Sequence, residues 1–159
     1  MVTRGNAGKA LFERVRVALR GKPPTLPIGE ALHPVTLLAV LLLVVNDWIL
    51  KERFGPSFVT GKLSDVAGLI FAPVVLSAAI GLVLRTHLTR RRLYACIVAT
   101  GLGFAAVKLS ATAAGWMVAA LSWWRPASVY LDRTDLLCLP ALLVALWIGH
   151  DELRRARVP

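Results

Sequence analysis

Four blocks of apolar residues, Pro34–Leu50, Leu63–Leu84, Leu93–Leu121 and Leu136–Gly149, make up most of this chain. They are nearly continuous, without the alternation that gives a surface helix one wet face. About 20 apolar residues in a helix cross a hydrocarbon core of about 30 Å. Backbone surrounded by lipid must satisfy its own hydrogen bonds, so blocks of this kind are helices. Of the 159 residues, 57% are hydrophobic; soluble domains are closer to half apolar. The fold class expected is an all-α membrane protein with four transmembrane helices over about 33–52, 63–84, 93–122 and 134–150. Two antiparallel hairpins would make a four-helix bundle over 31–150, between a basic segment at 1–30 and a basic tail at 151–159.

The formal charge of +10 would suggest nucleic acid on a soluble protein. Here its distribution points to orientation instead. Arg4, Lys9, Arg14, Arg16, Arg20 and Lys22 precede the first block. Arg85, Arg90, Arg91 and Arg92 separate the second from the third, and Arg154, Arg155 and Arg157 follow the fourth. In a four-span chain these groups share one side. The positive-inside rule then predicts cytoplasmic N- and C-termini in a bacterial-type inner (plasma) membrane. The expected partners are the lipid bilayer and either further copies of the chain or other membrane subunits, with no nucleic acid. Within the first segment, Gly8–Arg20 reads as a short amphipathic helix, with Leu11, Phe12, Val15, Ala18 and Leu19 on one arc. Trp48, Phe54, Phe58, Trp123, Trp124 and Tyr130 read as an outer aromatic belt, Tyr94 and Trp147 as inner anchors.

Lys108 lies deep in the third block. A charge at bilayer centre costs roughly 2.5–3.5 kcal/mol on insertion scales, so it persists where a partner or a function holds it. Projected on one continuous helix, Gly101, Thr112, Gly115 and Ala119 share its face, and small faces pack against other helices. Lys108 should therefore point inward, to a carboxylate. Asp47, Asp65 and Asp135 are the candidates, with Asp47 the easiest to reach. Asp47 and Lys51 also stand at i and i+4, a favourable helix pair. Asn46, Lys62, Ser64, Arg133 and Thr134 complete the expected polar site, which would lie in the outer half of the bilayer.

A plainer reading competes. Ser64-Asp65 and Thr134-Asp135 have the pattern of helix starts, a hydroxyl capping free amides and an acid complementing the dipole. The stretches Lys62-Leu63-Ser64-Asp65 and Asp132-Arg133-Thr134-Asp135 also form a faint repeat, as two parallel hairpins would produce. Thr60-Gly61-Lys62-Leu63-Ser64 lacks the upstream glycine and strand of a phosphate loop. His33 and His150 read as polar end groups, and Cys96 and Cys138 as small apolar residues too far apart to bridge. No cofactor and no metal is expected. Three functions remain: binding or conduction of an ion, proton or small polar group at an Asp/Lys site; a structural or regulatory subunit of a larger membrane complex; and, last, an intramembrane aspartyl-type enzyme.

Overall fold

A computed structural model describes residues 8, 10–15, 17, 28–55, 57–123 and 131–156. The described residues contain helices and no strand. Helix α1 spans Pro34–Phe54, α2 Phe58–Leu84, α3 Arg90–Leu109, α4 Ala111–Ser122 and α5 Arg133–Arg155. All but α4 are long and apolar enough to cross a membrane. Leu38, Leu41, Val83, Leu102 and Leu143 turn their side chains outward, as in a helix bundle solvated by lipid. The chain has the make-up of a multi-pass membrane protein.

Helix α2 is the hub. It packs along α1, α3 and α5 alike, and α5 closes against α3. Val74 of α2 meets Ala145 and Ile148 of α5 in a fully buried core. Leu93 is equally buried where α3 approaches α5, and a Cβ on Gly149 would lie 2.3 Å from its Cδ1. The small residue lets the two backbones close there.

The link between α1 and α2 is tighter than the sequence implies. The expected spans end near 52 and resume at 63, but α1 runs on to Phe54 and α2 starts at Phe58. Gly55, at φ 75°, turns the chain in the left-handed region open to glycine. Ser57 then caps α2 by accepting from the Thr60 amide at 3.2 Å, and Thr60 Oγ1 accepts from the Ser57 amide at 2.8 Å. This reciprocal box satisfies two free amides and fixes the helix start. Lys62, Ser64 and Asp65 consequently lie beyond the first turn.

Helix α1 itself changes pitch. Asn46–Leu50 form a π-turn, with the Lys51 amide donating to the Asn46 carbonyl. Such single turns insert one residue into an α-helix and recur at functional sites. Here the turn begins at the one amide side chain in the helix.

The third span departs most from expectation. One helix over 93–122 is not formed. Helix α3 stops at Leu109, Ser110 is extended at φ −125° and ψ 120°, and α4 begins beyond it. The Ser110 hydroxyl accepts from the Ala113 amide at 3.3 Å, so a serine capable of capping divides the apolar block. Thr112, Gly115 and Ala119 therefore do not continue the Lys108 face. Gly101, two turns before Lys108, does face α5, where its Cβ would meet Leu142.

Residues 10–15 are helical and lie under the bundle end that carries the termini of α2 and α5. Phe12 stacks edge-on to His33, with ring centroids 5.3 Å apart, and Glu13 pairs with Arg155. The rest of the expected amphipathic segment, Lys9, Arg16 and Ala18–Arg20, lies outside the described residues, as do Arg4, Lys22, Trp124, Tyr130 and Arg157.

Candidate functional site

The polar residues of the apolar blocks meet at one end of the bundle. Lys108 occupies the last turn of α3, level with the early turns of α2 and α5. Its ammonium donates to Asp65 Oδ2 at 3.0 Å and to Asp135 Oδ2 at 2.6 Å. Both carboxylates thus come from helices other than its own. Asp135 is 7% exposed, and the Lys108 and Asp65 side chains are largely enclosed. The Phe104 ring lies alongside, with the ammonium 5.5 Å from its centre.

Asp135 has a second cation. Lys62 Nζ donates to Asp135 Oδ1 at 2.7 Å and to Thr134 Oγ1 at 2.8 Å, and lies over the Phe58 ring, 4.3 Å from its centre. Asp132 closes this side. Its Oδ1 accepts from the Thr134 amide at 2.8 Å and from the Thr134 hydroxyl at 2.7 Å. The Thr134 hydroxyl and amide hold the Asp132 carboxyl below the usual carboxylate range.

A neighbouring group uses an adjacent face of α2. Ser64 Oγ donates to Asp47 Oδ1 at 2.8 Å and accepts from Lys51 Nζ at 2.9 Å. Lys51 and Asp47 pair directly at 2.6 Å. Asn46 is fully buried, and its Nδ2 donates to the Thr60 carbonyl at 2.8 Å and to Ser64 Oγ at 2.7 Å. Its Oδ1 has no partner among the described residues. A buried amide oxygen left so costs about 1–3 kcal/mol, which the rest of the network must outweigh. Because Ser64 and Asp65 are consecutive, α2 carries both groups on adjacent faces.

Two expectations change. Asp47 is not the nearest carboxylate to Lys108, since the ammonium reaches Asp65 and Asp135 while Asp47 takes its own i+4 lysine. Lys108 lies on α3, which packs against α2 and α5, whereas α1 packs chiefly on α2. The hydroxyl caps expected at both Ser/Thr-Asp pairs are not formed, although Asp135 stands in the first turn of α5, as the dipole reading expects. Ser57, not Ser64, caps α2, and Asp132, not Thr134, caps the start of α5. That start is a 3-10 segment, Arg133–Ala141, unlike the α-helical start of α2, so the two stretches of the faint repeat differ in local structure. Arg133 is exposed and makes no ion pair with the described residues. The other nine expected site residues lie in these two groups.

A third polar group, at the opposite end, is not indicated by the sequence. Glu30 is 1% exposed and its Oε1 accepts from Ser77 Oγ at 3.0 Å, with Arg92 Nη2 3.5 Å away. Burial pushes its carboxyl above the usual glutamate range. His33 is fully buried; Nδ1 accepts from the Val35 amide at 3.2 Å, which leaves Nε2–H to donate to Asp151 at 3.3 Å. Trp147 stacks on its other side, at 5.4 Å. The segment before α1 folds under the helices and brings these groups in. The one local signal was a glutamate and a histidine three residues apart against the first apolar block.

The chain matches no protein-family model, no curated protein and no solved structure at a significant level.

Proposed function

We propose that this chain is a polytopic inner-membrane protein that binds or conducts a proton, an ion or a small polar group at its Asp/Lys site. Asp65 and Asp135 are the carriers, and Lys108 is the counter-charge they share. One observation carries the reading: a single ammonium bonds carboxylates from two other helices at 3.0 and 2.6 Å. One lysine serving two acids leaves the pair short of positive charge, and Lys62 supplies the remainder only to Asp135. A proton or cation arriving at Asp65 therefore relieves repulsion between the carboxylates and frees Lys108 to move wholly to Asp135. Because three helices are held by that lysine, its shift is a change in helix packing.

The same reading puts both termini and the Arg85–Arg92 turn in the cytoplasm and the site in the outer half of the bilayer, from the distribution of arginines. The amphipathic N-terminal segment would lie along the inner leaflet. Four spans are few for a solitary transporter, so the working unit is a homo-oligomer or a complex with other membrane subunits.

A second reading draws on α4. Among the described residues this apolar helix packs on α3 alone, with Trp116 and Trp123 exposed. A structural or regulatory subunit would use such a helix to seat a partner and its ion pairs to lock its own bundle. An aspartyl-type enzyme ranks below both, because Lys108 bonds Asp65 and Asp135 together and competes with the proton such a dyad would share.

Reconstitution in liposomes tests these. Under the first reading, Lys108→Met and Asp65→Asn abolish pH-dependent proton or cation flux while the protein still inserts. If flux is absent from the unaltered chain and Lys108→Met only releases a co-purifying subunit, the second reading replaces it.

A further inference from the structure

Two clefts run together where α3 begins and α5 ends. The first, of about 100 Å³, is lined by Arg90, His150, Leu153 and Arg154. The second, of about 230 Å³, is lined by Leu143, Leu146, Trp147, His150, Asp151 and Arg154. His150 and Arg154 belong to both, so the two form one groove with a basic mouth and an apolar floor.

The mouth is built by two helices. Arg90 and Tyr94 stand one turn apart on α3, and His150 and Arg154 one turn apart on α5. A hydrogen bond of 3.0 Å between the Tyr94 hydroxyl and His150 Nε2 ties the helices together below the arginines. Neighbouring arginines are already engaged: Arg92 with Glu30 and Arg155 with Asp151 and Glu13. Arg90 and Arg154 have no acid partner among the described residues. The one carboxylate in the groove, Asp151, is held by His33 and Arg155. Two guanidiniums with no acid partner among the described residues therefore face a cleft whose floor continues along α5 past exposed Leu143 and Trp147 into the apolar band.

We propose that this groove binds an anionic phospholipid, its phosphate between Arg90 and Arg154 and an acyl chain along Leu143, Leu146 and Trp147. Guanidinium groups match phosphate oxygens in paired, planar hydrogen bonds. Basic pockets between helices at a membrane boundary recognise such headgroups. The apolar floor selects a lipid over a free phosphate, which needs only the mouth. A lipid wedged between α3 and α5 would brace the bundle end opposite the Asp/Lys site. The inference uses the membrane-spanning helices but not the flux reading, and stands or falls separately from it.

The test is lipid binding by the full-length protein in detergent, followed by native mass spectrometry and thermal unfolding. Phosphatidylglycerol should bind and raise Tm, while phosphatidylcholine and inorganic phosphate should not. Arg90→Gln with Arg154→Gln should weaken phosphatidylglycerol binding about thirtyfold, from the attraction each basic group contributes near an anionic headgroup. Arg85→Gln with Arg91→Gln removes the same charge from exposed positions outside the groove and should leave binding nearly intact. Equal loss in both double variants would show diffuse charge attraction and overturn the site. Equal binding of phosphatidylcholine would overturn the headgroup assignment, and competition by inorganic phosphate alone would reduce the groove to a free-anion site. Circular dichroism of each variant separates lost binding from lost folding.

Discussion

The two ends of the bundle are both polar and are built in different ways. At the Asp/Lys end, lysines and aspartates project from the spanning helices and meet across them. At the other end, Glu30 and His33 arrive on a segment that precedes α1 and is tucked beneath it. The first end couples helices to each other through charge. The second fastens a segment to the bundle through buried, hydrogen-bonded groups between aromatic rings. Charge placed on the helices themselves makes helix packing depend on ionisation, while a docked segment makes ionisation depend on whether the segment is seated.

The largest effect should come from Lys108→Met. It leaves Asp65 without a cation and Asp135 with Lys62 alone. Breaking one side of a buried pair costs about 3–5 kcal/mol, measurable as an earlier midpoint in denaturant titration of detergent-solubilised protein. Adding Asp65→Asn should recover much of that loss, since the uncompensated carboxylate is then gone. No recovery would mean that the lysine packs and does not pair.

Next is Ser64→Ala, which removes a hydroxyl that donates to Asp47 and accepts from Lys51 and Asn46. The expected cost is about 1–3 kcal/mol, by the same titration. A negligible change would show that the Asp47 group adds little to holding α1 on α2.

Glu30 sharpens the contrast by the opposite sign. Burial raises its folded-state pKa, so the folded protein holds this proton more tightly than the unfolded chain. That contribution to stability is complete below the unfolded pKa and is lost as pH rises through the folded one. Glu30→Gln should flatten this part of the pH–stability profile and be closest to neutral, or stabilising, at the alkaline end. A profile steeper in the variant would contradict the burial argument.

The smallest effect belongs to Ser110→Ala. Losing the hydroxyl that accepts from the Ala113 amide should cost about 1 kcal/mol, and cysteine accessibility along 105–115 would show whether α3 and α4 then fuse. A fused helix would swing α4 into line with α3.

The sequence shows why one end was legible and the other was not. A lysine inside an apolar block must be neutralised, and the only nearby acids are Asp47, Asp65 and Asp135, so the members of the site follow from cost alone. Which acids Lys108 meets depends on which helices α3 packs against, and an apolar run does not disclose that. The start of α2 was misplaced for a related reason: Ser57 and Thr60 cap reciprocally outside the apolar block, whose first leucine is Leu63. Glu30 and His33 carry no such signal. Polar residues before a span are ordinary, and only the chain's return beneath the helices buries them.

The π-turn at Asn46–Leu50 leaves α1 with two rotational frames. Residues up to Val45 follow one helical repeat against α2, and those from Lys51 onward follow another, displaced by the inserted residue. Substitutions scanned along α1 will therefore give a periodic pattern that loses phase at Asn46. Deleting a single residue within 46–50 would merge the frames and carry either Asp47 or Lys51 off the side that Ser64 occupies.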